Sequence, residues 1–425
     1  MKKVLFISYY FPPMGFGGVK RPLKFAKYLN HFNWDVTVLT DSPRKLFLVD
    51  DFLLREALDS GIKIERTGAE ILDTNKIITK VPNDSFQSFK NYFSSWFYIP
   101  DSKIFWYSKA VKKAIQLWKE NGGYNLVFAV APPFTDFLIG QELKRRFKVP
   151  LVVDFMDSWV GNYTLRYYPT LYHKKRNIAL ESAVVKDANK IITTNRRIKE
   201  MIISRNSDIT YNDIKLYPHT FDKNDFELAK KKNLPYTNKM RITYVGSLHS
   251  RGLKLLFKSI RALFNAVPLY KDRIEFLYLG IVPKKLLRFA KDFKILDSLY
   301  MPGYVNHLEC IKYLLASDVL FLHIKNIKNN DAILPGVIGD YIGSRKNILA
   351  CVPDGVTKNV LLNYNACKIV TDYNPATIAE AIYDYYNEYE AGVLPSPNEA
   401  LIEKFENMQY VEALAREFNY LQDIE

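Results

Sequence analysis

The residue types best suited to holding a phosphate lie in two glycine-containing loops. Gly15, Gly17 and Gly18 follow a short apolar run, and glycine lets backbone N–H groups approach an anion at the positive end of the next helix. A dinucleotide-binding fingerprint needs a third glycine at position 20, which is Lys20, so the loop gives little support to NAD binding. Ordinary turn formation is the alternative explanation for these glycines.

The second loop spans residues 246–252 with the sequence GSLHSRG, and Lys254 follows it. Its backbone amides and the guanidinium of Arg251 can together hold a diphosphate, because a guanidinium contacts two oxygens at once. The alternative is a loop whose basic side chains are simply solvated. The first explanation predicts an anion site in the second half of the chain.

Two acidic residues lie at the end of an apolar run in the first half of the chain. Asp154, Asp157 and Trp159 belong to the segment VVDFMDSW, residues 152–159. Carboxylates at such a position can orient a hydroxyl of an acceptor or cap the following helix. The six histidines are scattered, and the sequence contains no Ser-His-Asp order, zinc motif or P-loop. We therefore predict no metal site.

The net charge predicts an anionic partner. The 425 residues include 60 Lys+Arg and 45 Asp+Glu, for a net charge of +15, which attracts nucleic acid, an acidic membrane leaflet or a phosphorylated substrate. Three cysteines without metal-ligand spacing indicate a reducing compartment. Since no run reaches the roughly 18 apolar residues of a membrane span, we expect a cytoplasmic protein, at most bound to the inner face of the plasma membrane.

Strand and helix patterns alternate along the chain and predict two parallel sheets. The run KVLFIS (3–8) is typical of a strand buried on both faces, Val19, Leu23 and Ala26 have helical spacing, and DVTVLT (35–40) is a second strand. Such a βαβ unit implies a parallel sheet. Further strands are predicted at residues 126–130, 151–155, 190–193, 241–246, 274–280, 318–324, 347–352 and 367–370, with helices between them.

A polar segment rich in Lys and Asn, residues 223–239, separates the two series of strands. We therefore predict an N-terminal domain at 1–222, a linker at 223–239, a second domain at 240–396 and a final helix within 397–425. Ligands of open α/β sheets bind beyond the carboxyl ends of the strands. The glycine-containing loops and the acidic segment all follow strands, so these residues are expected at that edge.

The segment 86–119 is dense in aromatic and basic residues. One helical stripe within it is largely apolar and has lysines beside it. The stripe consists of Tyr107, Val111, Ala114, Ile115 and Trp118. A basic amphipathic helix of this kind can lie on an anionic membrane surface, and packing against the core is the alternative.

A series of segments, in order over nearly the whole chain, resembles a known family. Two of them are YVGSLHSRGLKLL (244–256) and LPGVIGDYIGSRKNILACVPDG (334–355), and the others are residues 9–40, 99–106, 131–140, 152–159, 216–226 and 303–324. On these segments the chain resembles the retaining glycosyltransferases of the GT-B fold, specifically the family-four-like group. The resemblance implies two Rossmann-like, doubly wound α/β domains that face a central cleft, with a C-terminal helix that crosses back to the N-terminal domain.

The resemblance also implies which residues bind the two substrates. The acceptor-binding positions in the first domain are Phe16, Lys20, Pro133, Phe134, Asp154, Asp157 and Trp159. The donor-binding positions are Gly17, Gly18, Gly246, Ser247, Arg251, Lys254, Tyr304, Val305, Asp331, Leu334, Pro335, Gly336, Val337 and Asp340. The residues expected to be catalytic are Arg251, Asp157 and Asp340.

The implied reaction is retaining hexosyl transfer from a nucleotide-diphosphate sugar, a UDP- or GDP-sugar, without a metal or other cofactor. Departure of the diphosphate builds negative charge, which fixed cations and N–H dipoles stabilise. The acceptor hydroxyl is deprotonated on the same face as the leaving phosphate, which retains the anomeric configuration. The implied acceptor is a glycan or a polyprenyl-diphosphate-linked glycan in bacterial capsule, O-antigen or exopolysaccharide synthesis.

The sequence departs from the family pattern at several positions. Of the usual acidic pair eight residues apart, the second falls on Asp340 and the first on Ala332, next to Asp331. Other residues replace the usual basic ones at three positions, namely Met156, Ser247 and Val337, and His219-Thr220 replaces the usual Asn-Gly. Arg251 keeps its basic position, and Lys254, Arg345 and Lys346 are further cations that can take over the missing roles.

Three other functions stay open at this point. Nucleotide-sugar 2-epimerases share the fold and need acid and base residues but no acceptor. A non-catalytic or partner-dependent relative would explain the missing basic residues. Nucleic-acid binding rests on charge alone, and since no recognisable reading module is present, we expect no nucleic-acid partner.

Overall fold

The computed structural model describes residues 1–15, 17–42, 46, 48–68, 92–161, 168–246, 250–327 and 329–423, with the backbone alone at residues 250 and 251. The chain forms two compact units. The first comprises Met1–His219 and Asn407–Glu425, and the second comprises Thr220–Glu406. Within the described ranges, no helix is long and apolar enough to cross a membrane.

The first unit is built on a seven-stranded, entirely parallel sheet of order β3-β2-β1-β4-β5-β6-β7. Its strands are β1 (Lys2–Ile7), β2 (Trp34–Thr40), β3 (Lys63–Arg66), β4 (Leu126–Ala131), β5 (Leu151–Phe155), β6 (Lys190–Thr193) and β7 (Ile214–Leu216). After β1 the chain adds β2 and β3 on one side of it and then β4 to β7 on the other side. The topological switch point therefore lies between β1 and β4.

The second unit contains a six-stranded parallel sheet of order β10-β9-β8-β11-β12-β13. Its strands are β8 (Met240–Val245), β9 (Ile274–Leu279), β10 (Leu299–Gly303), β11 (Val319–His323), β12 (Asn347–Cys351) and β13 (Cys367–Val370). By the same criterion its switch point lies between β8 and β11.

Helices cover the faces of both sheets. Those of the first unit are α1 (Lys20–Leu29), α2 (Asp51–Asp59), α3 (described over 92–97), α4 (Ile104–Glu120), α5 (Thr135–Phe147), α6 (Leu171–Asp187), α7 (Arg196–Ile203) and α17 (Met408–Asp423). Those of the second unit are α8 (Lys223–Lys230), α9 (Ser250–Ala266), α10 (Tyr270–Arg273), α11 (Lys284–Asp292), α12 (His307–Leu315), α13 (Ile338–Gly343), α14 (Val356–Tyr364), α15 (Pro375–Glu390) and α16 (Glu399–Lys404).

The strands form because their residues are apolar on both faces. Every residue of β4 is buried, as expected for a central parallel strand with helices on both sides. Gly140 of α5 lets that helix approach the sheet, because a Cβ there would lie 2.8 Å from Leu151 Cδ1 and 3.1 Å from Ala129 Cβ. This packing holds α5 against β4 and β5, whose carboxyl ends carry candidate site residues.

The C-terminal helix α17 packs in the first unit. Phe418 lies in its core, with ring centroids 5.3 Å from Trp34 and 5.5 Å from Phe128. Glu417 forms ion pairs with Lys190 and Lys215, each at 3.2 Å. The return of the last helix to the first unit is therefore fixed by both apolar packing and charge.

The parallel sheets and their strand runs were predicted correctly, but three short strands were missed. These are β3, β7 and β10, each of which is an edge strand of its sheet. Edge strands are short and polar, as in the KIER sequence of β3, and β10 contains a proline. Such strands lack the continuous apolar run on which strand prediction depends.

Two segment predictions differ from the structure. The segment predicted as a linker, 223–239, begins with helix α8, whose Asp225, Phe226 and Ala229 are buried in the second unit. The single helix predicted within 397–425 is two helices, α16 in the second unit and α17 in the first. The apolar residues of both segments pack into adjacent cores, which sequence periodicity alone does not assign.

Helix α4 corresponds to the stripe that we considered as a membrane face. Its buried residues are Trp106, Ala110, Ala114 and Leu117, so of the predicted stripe Ala114 is buried and the other four residues are half-buried. One of these four, Trp118, stacks on Phe147 at a centroid distance of 4.1 Å. This helix therefore packs its apolar face against the first unit, which is the alternative that the sequence left open.

Candidate functional site

Asp157 is the acidic candidate whose environment best suits chemistry. It follows β5 at the carboxyl edge of the first sheet and is only partly exposed. Burial raises its pKa from 3.8 to about 6, and its carboxylate has no hydrogen-bond or ion-pair partner among the described residues. A carboxyl group that titrates near neutral pH can accept or donate a proton to a substrate hydroxyl.

Hydrogen bonds hold the backbone around Asp157. The N–H of Met156 donates to Ala131 O at 2.9 Å, and the hydroxyl of Thr194 donates to Met156 O at 3.1 Å. On the other side, the N–H of Val160 donates to the buried carboxylate of Glu181 at 3.1 Å. The position of Asp157 is therefore fixed by its neighbours on both sides, as a site residue requires.

Asp154, the other acidic residue of this segment, forms a buried ion pair. Arg21 of α1 donates from Nε to Oδ2 at 2.6 Å and from Nη2 to Oδ1 at 3.0 Å, and both side chains are buried. Arg21 also donates to the carbonyl of Pro218 at 2.8 Å. This geometry favours a structural role for Asp154, because both carboxylate oxygens are occupied by α1.

The aromatic residues predicted to bind an acceptor are buried. Phe134 and Trp159 stack on each other with centroids 4.7 Å apart and are fully enclosed. The indole N–H of Trp159 donates to Asn177 Oδ1 at 2.9 Å, and Pro133 is also buried. Their burial favours a role in supporting the Asp157 loop. Phe16 lies outside the described residues, and the acceptor contact of the partly exposed Lys20 stays a prediction.

A buried carboxyl group that sequence reasoning missed lies beside the first glycine-containing loop. Asp136 of α5 is fully buried and accepts the N–H of Tyr9 at 2.7 Å through Oδ2. Its Oδ1 has no hydrogen-bond partner in the described part of the chain. Burial and the nearby Asp101 raise the pKa of Asp136 well above 3.8. Asp136 therefore keeps its proton to a higher pH than an exposed aspartic acid does. Its hydrogen bond with Tyr9 fixes the start of the loop that carries Gly17 and Gly18.

His219, which replaces the usual Asn of the family, is the last residue of the first of the two segments that form the first unit. Burial, together with the smaller effect of the nearby charges of Arg21 and Lys20, lowers its pKa to about 3. The imidazole is therefore neutral at physiological pH. A neutral imidazole offers one donor and one acceptor and adds no positive charge to the Lys20–Arg21 region.

In the second unit, Tyr341 of α13 separates two strands at the switch point. The N–H of Val245, at the end of β8, donates to the Tyr341 hydroxyl at 3.1 Å. That hydroxyl in turn donates to Phe321 O of β11 at 3.0 Å. The side chain thus replaces direct pairing between β8 and β11 at their carboxyl ends, where the crevice of an open α/β sheet forms.

The glycines of the second loop are required by side-chain packing. A Cβ at Gly246 would lie 2.2 Å from the Tyr278 ring, and one at Gly252 would lie 2.6 Å from Tyr244 Oη and 2.8 Å from His323 Nδ1. Burial lowers the pKa of His323 to about 4, so it is neutral. These contacts explain both glycines without a phosphate, and they place Gly252, in the first turn of α9, against the carboxyl edge of the sheet.

The structure tests the predicted donor contact of Lys254 but not those of Ser247 and Arg251. Ser247 and the side chain of Arg251 lie outside the described residues, so their donor contacts stay predictions. Lys254 is exposed, and its Nζ lies 4.9 Å from the Phe289 ring centroid. Because residues 252 and 254 differ by about 200° around a helix, Lys254 faces away from the edge that Gly252 contacts. Its position disfavours the predicted donor contact.

A cavity of about 360 Å³ opens at the carboxyl ends of β11, β12 and β13. Its lining residues are Asn326, Ile327, Asn329, Asp331, Pro353, Asp354 and Thr371. Carboxylate, amide and hydroxyl groups of this kind hydrogen-bond to the hydroxyls of a sugar. Of the predicted donor residues whose side chains the structure describes, only Asp331 is part of this lining.

The loop that carries Asp331 is anchored by α14. A Cβ at Gly355 would lie 2.4 Å from Asp331 O, so the two backbones touch. The hydroxyl of Thr357 donates to Ile333 O at 2.6 Å. Asp340 and Leu334 are buried beside this loop, whereas Pro335, Gly336 and Val337 are half-buried. Tyr304 and Val305 follow β10 and are half-buried; the donor contacts of all these residues stay predictions.

Solved structures match the fold over its whole length. Sucrose-phosphate synthase from Thermosynechococcus elongatus has a TM-score of 0.70 at 14% identity, with 100% of both chains covered. HepE of Anabaena in complex with UDP-glucose has a TM-score of 0.63 at 12% identity, also with 100% of both covered. UDP-GlcNAc 2-epimerase from Methanocaldococcus jannaschii has a TM-score of 0.58 at 10% identity and covers 99% of this chain and 100% of that one.

No family model and no curated protein matches the sequence. At the identities above, the structural matches define the fold. The chain therefore has the two-domain α/β architecture called GT-B, with a parallel Rossmann-like sheet in each unit and the C-terminal helix returned to the first.

Proposed function

We propose that the protein is a retaining glycosyltransferase that moves a hexose from a nucleotide-diphosphate sugar to a hydroxyl of a glycan acceptor. In this proposal the acceptor is lipid-linked and the product is a bacterial surface polysaccharide. The reaction requires no metal, because cations and backbone N–H groups of the protein stabilise the leaving diphosphate. The neighbour HepE was solved with UDP-glucose, which makes UDP-glucose the first donor to test.

The observation that carries the proposal is Asp157. A partly buried carboxyl group with a pKa of about 6 follows the strand next to the switch-point strand β4. Ionised Asp157 accepts a hydrogen bond from an incoming hydroxyl and fixes its orientation toward the donor. The buried Arg21–Asp154 pair and the stacked Phe134 and Trp159 support this geometry from behind.

The cavity of the second unit supports the donor half of the proposal. Asp331 and Asp354 supply carboxylates, and Asn326, Asn329 and Thr371 supply amides and a hydroxyl. These groups suit the hydroxyls of a ribose or a hexose, whereas a diphosphate needs cations or N–H groups. In the proposal the diphosphate binds at the amino end of α9, beside Arg251.

Donor binding is the first step to test. The full chain is screened by thermal unfolding against UDP-, GDP-, CMP- and dTDP-sugars, first without metal and then with Mg²⁺. Binding at a hundredfold excess over Kd stabilises the folded state by about 2.7 kcal/mol, so one nucleotide series is expected to raise the unfolding midpoint. Transfer is then measured with that donor and a panel of glycan acceptors, including polyprenyl-diphosphate-linked glycans.

Variants connect binding to the assigned residues. Arg251→Ala and Asp340→Asn are expected to abolish transfer while the protein stays folded. Arg261→Ala on the same helix and the exposed Asp272→Ala are the matched controls and are expected to keep wild-type rates. Full activity of Arg251→Ala and Asp340→Asn would overturn these site assignments, and failure of every donor to bind would favour a non-catalytic or partner-dependent relative.

A second candidate is a nucleotide-sugar 2-epimerase, favoured by the full-length match to the Methanocaldococcus jannaschii enzyme. An epimerase changes the donor sugar with no acceptor present. Incubation of the bound donor alone, followed by NMR of the sugar ring, distinguishes the two reactions. An isomerised sugar would favour the epimerase, whereas an unchanged donor that is consumed only with acceptor would favour the transferase.

A further inference from the structure

Large aromatic and aliphatic side chains project into solvent at one place on the first unit. In helix α3, Trp96 is 43% and Phe97 is 66% exposed, whereas the preceding Ser94 and Ser95 are less exposed than either. A helix on a water-facing surface normally turns its serines outward and its aromatics inward. The polarity of α3 is therefore inverted with respect to water.

Two other elements extend this apolar surface. Phe105, at the start of α4, is 65% exposed and is linked to α3 through Tyr98, which lies 4.7 Å from Phe105 and 6.5 Å from Phe97 between ring centroids. At the start of α6, Leu171 is 75% and Tyr172 is 68% exposed. We call these five side chains, Trp96, Phe97, Phe105, Leu171 and Tyr172, the aromatic patch.

His173 joins the two sides of the aromatic patch. Its Nε2 lies 3.1 Å from the carbonyl oxygen of Trp96, and its ring lies 6.1 Å from Trp96 and 5.8 Å from Tyr172. A hydrogen bond also links its Nδ1 to the hydroxyl of Thr170, which caps α6. The start of α6 is thus held against α3, so the exposed side chains form one surface.

The surroundings of the patch are strongly basic. Lys174, Lys175 and Arg176 follow Tyr172 directly, are exposed and form no ion pair within the described residues. Lys109 lies one helical turn after Phe105 and is also exposed. Residues 102–119 and 168–180 contain no Asp or Glu. No acidic residue of these segments therefore neutralises the cations beside the patch.

We infer that the aromatic patch and its cations dock the protein on the surface of an anionic lipid bilayer. Trp, Tyr and Phe side chains insert at the level of the lipid headgroups, where an apolar ring and a polar edge are both accommodated. The cations bind the negative headgroups around them. A soluble acidic protein would pair with the cations but would also need a complementary apolar pocket for each of the five large side chains. A bilayer accommodates all five without such pockets, so charge and apolarity together favour a bilayer.

This inference rests on exposure and charge in the first unit and is independent of the proposed transferase activity. The test uses the full chain without donor, in co-sedimentation with vesicles of phosphatidylcholine alone or of phosphatidylcholine with about one third phosphatidylglycerol. Wild-type protein is expected to bind the anionic vesicles, to bind far less to the neutral ones, and to dissociate as salt screens the headgroups. Absence of binding to anionic vesicles would overturn the inference.

Matched variants separate the patch from overall charge. Lys174→Gln/Lys175→Gln/Arg176→Gln is expected to weaken binding about 100-fold, since each cation near the surface contributes about a factor of five. Lys284→Gln/Lys285→Gln/Arg288→Gln removes the same charge from three exposed cations of α11 and is expected to keep most of the binding. Equal loss in both triple variants would overturn the assignment of the surface.

The apolar part is tested with Trp96→Ser/Phe97→Ser. This variant is expected to keep the wild-type unfolding midpoint and to lose most vesicle binding, whereas Leu269→Ser, at another exposed apolar position, is expected to keep it. The alternative occupant of the patch is a second copy of this chain, which is tested by light scattering in the absence of lipid. A dimer that becomes a monomer in Trp96→Ser/Phe97→Ser would make the patch an interface between two copies of this chain and would overturn membrane docking.

Discussion

The guanidinium of Arg21 holds both carboxylate oxygens of Asp154, at 2.6 and 3.0 Å, and both side chains are buried. The pair ties the first helix of the chain, α1, to the interior strand β5. A third hydrogen bond from Arg21 reaches Pro218 O, near the end of the first unit. One side chain thus connects three elements that position the acidic Asp157 loop and His219.

Loss of either member of this pair is expected to destabilise the first unit strongly. Removal of one partner leaves a buried charge without compensation, at a cost of about 3–5 kcal/mol, so Arg21→Met and Asp154→Leu should each lower the unfolding midpoint by roughly 10 °C. The double variant Arg21→Met/Asp154→Leu should recover much of the loss, because no unpaired charge remains. Additive losses in the double variant, measured by calorimetry, would contradict this account.

The glycines of the second unit give a prediction about packing. Gly252→Ala is expected to destabilise the protein by about 1–3 kcal/mol, because the new methyl group would lie within 2.9 Å of Tyr244 and His323 atoms. Gly17→Ala is the control, since a Cβ there meets nothing within 4 Å. Denaturant midpoints of the two variants should therefore differ clearly, and equal midpoints would remove packing as the reason for glycine at 252.

Local pattern was sufficient for ten of the thirteen strands and for the two parallel sheets but insufficient for these contacts. Strands such as β4 are continuous apolar runs, and this local signal predicts a buried parallel strand. Arg21 and Asp154 are 133 residues apart, and Tyr9 and Asp136 are 127 apart. No local spacing connects such residues. Asp154 was therefore assigned to an acceptor, and Asp136 was missed although it lies in a segment that resembles the family.

Asp136 predicts a specific dependence of stability on pH. Its pKa in the folded state is well above that of the unfolded chain, so the folded state binds more protons and stability falls as pH rises above about 4. Asp136→Asn keeps an oxygen for the N–H of Tyr9 and carries no charge. The variant should therefore gain stability over the wild type progressively as pH rises above about 4, as measured by unfolding midpoints.

Asp101 is the matched control for this experiment. Its carboxylate accepts the N–H groups of Phe134, Thr135 and Lys103 and the hydroxyl of Thr135. A single amide oxygen cannot accept all four bonds, so Asp101→Asn should be less stable than the wild type at neutral pH. Parallel pH curves for Asp136→Asn and the wild type would show that Asp136 does not titrate differently on folding.

Asp157 links the same physical effect to activity. Since its pKa is about 6, the fraction of ionised Asp157 rises through pH 6, and kcat/KM for transfer should rise with it if the carboxylate orients the acceptor hydroxyl. Asp157→Asn should lower kcat/KM by about 100-fold and should abolish the step near pH 6. Donor binding, measured by thermal shift, should be unchanged, because the acceptor residue acts after the donor has bound.

The pH dependence of stability gives an independent measurement of the titration of Asp157. Burial of an ionised Asp157 destabilises the folded state above pH 6, so Asp157→Asn should become more stable than the wild type between about pH 4 and 6, with a constant difference above that range. A stability difference without a change in the pH profile of transfer would make Asp157 a buried acid with no part in the reaction. A lost pH 6 step together with the stability difference would assign the titration to this carboxylate.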